Sequence, residues 1–344
     1  MKKGFTAAGL ILLGLFAAHR LGADPDIRAK LENLENLTVG RLFVQEGADT
    51  APDEGDMAVI SDGETGMFAP EGTIPPFPSE LEVPETPTPE PEATPVVLPT
   101  TIEGGMVITN NTSYELDLGA LVSAGTSVKL AAEGPQVLII HTHGSEAYTP
   151  TMTDTHKRTD NYRTEDRAFS VVRVGDELTA CLESFGLEVI HDREIYDYPS
   201  YTGSYARSDA AVRKYLAEYP SISVVLDVHR DAIGSGDVVY KTMAEDGGKP
   251  CSQVMLLVGT GENGLEHPNW KENLKFALSL QSAVVEKYPT LSRPIALKKE
   301  RYNQQLSTGY LIVEVGSSGN TLDEALNAVR LFADAAGPML KGLQ

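Results

Sequence analysis

The chain has 344 residues, 41% of them hydrophobic and 22% charged, which is enough for at least one packed core and excludes disorder throughout. Its 28 Lys and Arg stand against 49 Asp and Glu, a net charge of −21, which argues against a duplex nucleic-acid binder that must neutralise phosphates. Two cysteines, Cys181 and Cys251, are too few for a disulfide framework or a cysteine-rich zinc site.

Lys2 and Lys3 precede an apolar run over residues 4–18 that His19 and Arg20 close. Residues 1–23 are therefore expected to form an uncleaved membrane anchor, with the lysines cytoplasmic and the bulk of the chain outside. A cleaved signal peptide is the alternative, and it too makes the function extracytoplasmic. Residues 24–45 form a short juxtamembrane segment, in which Ile27, Leu31, Leu34 and Leu37 recur at helical spacing and predict a helix over 24–44. From 46 to 104 the composition is acidic and proline-rich, as in Pro84-Glu85-Thr86-Pro87-Thr88-Pro89-Glu90-Pro91. No Lys or Arg occurs between Arg41 and Lys129, so this stretch reads as an extended, self-repelling tether.

Residues 105–344 have the texture of a globular domain. Apolar β-type runs over 136–141, 187–190, 222–228, 254–258 and 310–315 alternate with helical patterns over 171–185, 208–219, 269–287 and 321–343. That alternation predicts an α/β fold, a mostly parallel sheet with helices on both faces. Ligands in such sheets gather beyond the carboxyl ends of strands. Three of the runs end in residues suited to metal or proton chemistry. The first closes in His141-Thr142-His143-Gly144-Ser145-Glu146, the second in His229-Arg230-Asp231, and the third in Glu314-Val315-Gly316.

His143-x-x-Glu146 with a distant His229 is the donor set of a catalytic zinc, two neutral nitrogens and one anionic oxygen. His141 is open as an alternative ligand, or as a partner that orients one. Zinc acidifies water and polarises a carbonyl, and a separate carboxylate must then move the proton; Glu314 is the candidate. Arg230 and Asp231 could simply cap the following turn, and His156, His191 and His267 read as ordinary loop histidines.

The blocks 136–143, 145–150, 171–178, 224–232, 267–273, 301–304 and 311–320 resemble stage II sporulation protein P, over about residues 101–344. The resemblance implies the phosphorylase/hydrolase-like fold of zinc-dependent cell-wall amidases. It also implies a peptidoglycan hydrolase of engulfment in endospore formers, an N-acetylmuramoyl-L-alanine amidase with endopeptidase activity on cross-links. Its implied partners are sporulation proteins D and M, its cofactor Zn2+, and its place the sporulation septum or engulfing membrane. Two histidines and an acid would hold zinc and a late glutamate would catalyse, which carries onto His143, Glu146, His229 and Glu314. The wider amidase superfamily places its acid at a helix start, which would favour Glu165 over Glu146. Arg301, Asn303 and Gln304 are candidates for holding stem-peptide carboxylates or carbonyls, or else belong to a surface loop. The rival functions are a zinc carboxypeptidase-like hydrolase and a non-catalytic scaffold of the engulfment complex.

Overall fold

The computed structural model describes Val44–Glu46, Val96–Val97 and residues 106–344 apart from 153, 155, 157, 158, 160, 161, 236 and 237. The expected anchor, the expected helix over 24–44 except Val44, which begins a strand, and nearly all of the tether lie outside the described residues. Among the described residues, no helix is long and apolar enough to cross a membrane.

The strands are β1 (Val44–Glu46), β2 (Val96–Val97), β3 (Ile108–Asn110), β4 (Val137–Ile140), β5 (Val189–His191), β6 (Val224–Asp231), β7 (Gly234–Ser235), β8 (Val238–Lys241), β9 (Val254–Gly259), β10 (Ile295–Lys298) and β11 (Gly309–Ser317). The helices are α1 (Leu118–Ala124), α2 (Val171–Ser184), α3 (Ser204–Glu218), α4 (Trp270–Lys287) and α5 (Leu322–Lys341). Eight strands form one sheet in the order β1-β3-β10-β9-β11-β6-β4-β5. Every pairing in it is parallel except that of β9 with β11. The sheet is thus two parallel sets running in opposite directions. Strands β5, β4, β6 and β11 end at one edge; β9, β10, β3 and β1 end at the other. A small second sheet joins β2, β8 and β7, so Val96–Val97, within the stretch read as tether, pairs in parallel with Tyr240–Lys241.

Strand pleating divides the side chains between two faces. Val137 and Ile139 of β4, Val224, Leu226 and Val228 of β6, and Leu311, Val313 and Val315 of β11 share the larger core with α2, α4 and α5. Their burial is near complete, and each such side chain contributes about 1.5–3 kcal/mol by leaving water. Helix α2 suits this face because Val171, Val174, Leu178 and Leu182 recur every three to four residues, and the Ser170 hydroxyl accepts a bond from Val172 N at its start. Helix α5 opens with a capping box between Thr321 and Glu324.

The opposite face is covered unevenly. Leu138, Ile140, Val225 and Tyr310 pack beneath Val212 of α3. Toward β9 and β10, Leu257, Ala296 and Ile312 pack with the ring of Tyr302 and with Tyr205 from the first turn of α3. The same pleat that buries Val225, Tyr310 and Ile312 carries Asp227, His229 and Glu314 onto this face.

Candidate metal centre

β4 ends at Ile140, and the chain then turns through residues 141–148. His143 O accepts from Glu146 N (3.1 Å), a one-turn loop that brings the side chains of His143 and Glu146 together. The turn is pinned from outside: Ala147 N donates to Tyr162 O, Thr164 N to Ser145 O, and Val171 N to Glu146 O. Asp197 accepts from Ser145 N (3.0 Å), from Ser145 Oγ (2.6 Å) and from the Arg163 guanidinium.

On this scaffold His143, Glu146 and His229 meet, each offering one ligand atom within 4.8 Å of the other two, and all three are buried. His229 Nδ1 lies 3.4 Å from Glu146 Oε2, and His143 Nδ1 lies 3.7 Å from Glu146 Oε1. The second nitrogen of His229 is committed: Nε2 meets Asp227 Oδ1 at 2.9 Å. Asp227 is fully buried and also accepts from Thr142 N (2.8 Å), Thr142 Oγ1 (2.7 Å) and the Tyr310 hydroxyl (3.2 Å). It fixes the His229 ring so that Nδ1 faces Glu146.

Burial pushes the Glu146 carboxyl up, but the Arg230 charge and the contacts from His143 and His229 outweigh it and hold the group well below the usual carboxylate range. Burial likewise disfavours charge on His229, yet Asp227 and then Glu146 outweigh that and raise its affinity for a proton. A proton and a divalent cation compete for the same pocket of negative potential. His143 Nε2 is buried with no hydrogen-bond partner. Two imidazoles and an ionised carboxylate, one imidazole backed by a carboxylate and one with an unpartnered nitrogen, fit a zinc ion in donor type and number.

Arg230 N donates to Glu146 Oε2 (3.1 Å), its guanidinium stands 3.8 Å from Glu146 Oε1, and its Nε bonds Ala147 O (3.0 Å). It braces the carboxylate loop rather than capping a turn. Glu314 pairs in register with His229 across β6 and β11, so the two side chains share a face. Burial pushes the Tyr148 hydroxyl well above its ordinary pKa; the Arg230 charge opposes this, and Glu146 and Glu314 add to it. Tyr201 stacks on His143 (4.6 Å, 25°) beneath the Arg163 guanidinium, and Tyr205 meets the same imidazole edge-on at 5.5 Å. Together they wall the His143 side.

Other candidates lie elsewhere. His141 is fully buried on the α2 face, with Nδ1 against Val228 O and Nε2 against His191 Nε2, both at 2.8 Å; its nitrogens are committed away from the cluster. His191 is correspondingly no loop residue: it ends β5 and its Nδ1 meets Asp176 at 3.2 Å. Glu165 is exposed and bonds the Tyr198 hydroxyl. Gln304 is fully buried and both ends of its amide serve β9, accepting from Gly259 N and donating to Leu257 O. Arg301 reaches Glu266 O on the loop after β9. Asn303 donates to Tyr205 O (2.7 Å) and Ser208 Oγ (3.1 Å), so it supports the tyrosine that contacts His143. Sequence reasoning missed Asp227, whose signal was its place two residues before His229 in a strand.

The fold and the cluster define an α/β protein with a buried His–Glu–His group beyond its strand ends that could hold a metal ion. Residues 84–337 match the sequence profile of Stage II sporulation protein P, and the chain belongs to that family. Stage II sporulation protein P of Bacillus subtilis (strain 168) is 30% identical over 214 residues, which are 59% of this chain and 50% of that protein. This chain thus matches about half the length of that curated relative. Solved N-acetylmuramoyl-L-alanine amidases align at lower similarity. Ami1 from Mycobacterium abscessus does so with a TM-score of 0.36 and 9% identity, over 61% of this chain and 99% of that one. AmiC2 of Nostoc punctiforme gives 0.34 and 12%, over 61% and 98%. A likeness at that level assigns no activity.

Proposed function

We propose that this chain is a zinc-dependent N-acetylmuramoyl-L-alanine amidase, a peptidoglycan hydrolase of sporulation that acts in engulfment and also cuts peptide cross-links. The observation that carries the reading is the buried meeting of His143, Glu146 and His229, with Asp227 behind and Glu314 beside it. Membership of the Stage II sporulation protein P family supports the substrate class. An N-terminal anchor holding the domain outside the cell membrane, and sporulation proteins D and M as partners, complete the proposal.

His143, Glu146 and His229 would hold the zinc, which when bound supplies a Lewis acid for the scissile carbonyl and for water. Asp227 keeps the proton of His229 on Nε2, leaving Nδ1 as the donor nitrogen. Arg230 keeps Glu146 ionised. Glu314 takes one proton from the attacking water and delivers it to the nitrogen of the first alanine as the lactyl amide breaks. Tyr201 and Tyr205 close the His143 side and orient its ring.

Digesting purified cell wall with the full chain and identifying the new termini tests this reading. Stem peptides bearing N-terminal alanine, lost on chelation and restored by zinc, are the expected products. Free carboxy-terminal amino acids alone would show a carboxypeptidase instead, and an intact wall would leave only a scaffold.

A further inference from the structure

A cavity of about 500 Å3 lies at the carboxyl end of β9. Because β9 runs antiparallel to β11, that end is opposite the one carrying His143, His229 and Glu314. Its walls are the loop 260–268 and Tyr114, and Ser113 N is tied to the Glu262 carboxylate (3.0 Å), which locks the two segments together. Gly261, at φ +72°, makes the turn: a Cβ there would meet Leu265 O at 2.0 Å and the His267 Cβ at 3.1 Å. That turn seats the imidazole.

His267 is 95% buried by its 5% exposure, lines the cavity, and has no hydrogen-bond partner on either ring nitrogen. Burial pushes its pKa down to about 4, with the Arg301 charge adding, so it is neutral at pH 7 and presents one donor and one acceptor. Leaving both unmade is costly, and a polar ligand is the natural remedy. Beside it stands an apolar wall, the 37%-exposed Tyr114 ring backed at 4.9 Å by Trp270. An aromatic plate beside a neutral hydrogen-bonding group suits a ring with an apolar face and a polar edge, and the volume admits one or two such rings.

We infer that this cavity binds an N-acetylated hexosamine of a glycan strand, its pyranose face on Tyr114 and its hydroxyl and acetamido groups on His267. The choice of sugar rests on the peptidoglycan reading; the cavity and its polar chemistry do not. Such a site holds the polymer away from the cutting edge, so one strand can stay engaged between cleavages.

Trp270 is the sole tryptophan of the chain and lines this cavity, so tryptophan emission, excited apart from the tyrosines, reports on it. The full chain is titrated with N,N′,N″-triacetylchitotriose. A saturable change in tryptophan emission is expected, with the dissociation constant raised about tenfold or more in His267→Ala and in the surface variant Tyr114→Ala. Glu314→Gln should titrate as the unaltered protein does. Circular dichroism confirms folding, and His267→Gln, which keeps one donor and one acceptor, should recover part of the binding. A silent Trp270, or unchanged affinity in a folded Tyr114→Ala protein, would overturn the inference. Saccharide binding without amidase products would count against the proposed function alone; amidase products with a silent Trp270 would count against this site alone.

Discussion

Asp227→Asn isolates the electrostatic part of the candidate metal centre. Asp227 is fully buried and accepts from His229 Nε2, Thr142 N, Thr142 Oγ1 and the Tyr310 hydroxyl at 2.7–3.2 Å. Asparagine keeps the volume and one carbonyl oxygen, which can still accept from His229 Nε2 and Thr142 N. Its amide replaces Oδ2 and donates where hydroxyls donated before. The Thr142 hydroxyl adapts by turning its proton to Ser208 Oγ, 2.8 Å away. Folding is therefore expected to survive at a cost of about 1–3 kcal/mol. The negative charge behind His229 is lost, and with it the added basicity of Nδ1. Losing such a partner weakens metal binding about 10- to 100-fold, or about 1.4–2.8 kcal/mol. Competition with a chromophoric chelator reads the zinc affinity, and urea unfolding of the metal-free protein reads the stability. Unchanged zinc affinity in a folded Asp227→Asn protein would show that His229 does not ligate through Nδ1. Asp227→Ala is the poorer probe, since it leaves Thr142 N and His229 Nε2 buried without acceptors.

Glu146→Ala should lower zinc affinity strongly and Glu165→Ala should leave it near the unaltered value, because Glu165 is exposed beside Tyr198; equilibrium dialysis on the two variants distinguishes them, and the reverse order moves the ligand to the start of α2. Glu314→Gln should keep its zinc and its melting temperature while wall digestion slows about 10²- to 10⁴-fold, the loss expected on removing a general base; unchanged specific activity would leave the account without one. Gly175→Ala should destabilise the fold by about 1–3 kcal/mol in urea unfolding, since its Cβ would stand 2.5 Å from His141 Nε2 and 2.6 Å from His191 Nε2. A stability equal to that of the unaltered protein would mean that the histidine pair yields without strain.

Much of the fold was legible because hydrophobic runs and helical periods are local signals. The five strands and four helices anticipated within residues 105–344 exist, with ends displaced by a few residues. Strand direction is not local. Nothing in Val254–Gly259 distinguishes a strand antiparallel to β11 from one parallel to it, and the reversal places the carboxyl end of β9 away from the cluster. β10 runs from Pro294 straight into Lys298 and Lys299, which leaves only Ile295-Ala296-Leu297 as an apolar signal, and α1 is only two turns.

The site was legible to the extent that spacing decides it. His143, Glu146 and His229 are brought together, and His141 is separated from them by the pleat. Val137, Ile139 and His141 alternate onto the α2 face, whereas Asp227 and His229 alternate onto the other. That distinction needs the register between β4 and β6, which one strand's sequence does not carry. Asp227 was hidden by its neighbours, a single acid between Val224-Val225-Leu226 and Val228, where an aliphatic run suggests only core. Gln304 was mistaken for a site candidate because a polar residue in a loop looks available, and its commitment to the β9 backbone appears only in three dimensions.

Zinc content is decisive in two proteins, the full chain and its His229→Ala variant, each purified, dialysed against trace zinc and analysed by mass spectrometry. One zinc per unaltered chain and a small fraction of that in a variant with native circular dichroism is the predicted result, because His143 and Glu146 alone hold a zinc ion poorly. Stoichiometric zinc retained by folded His229→Ala, or none bound by the unaltered chain, would contradict it.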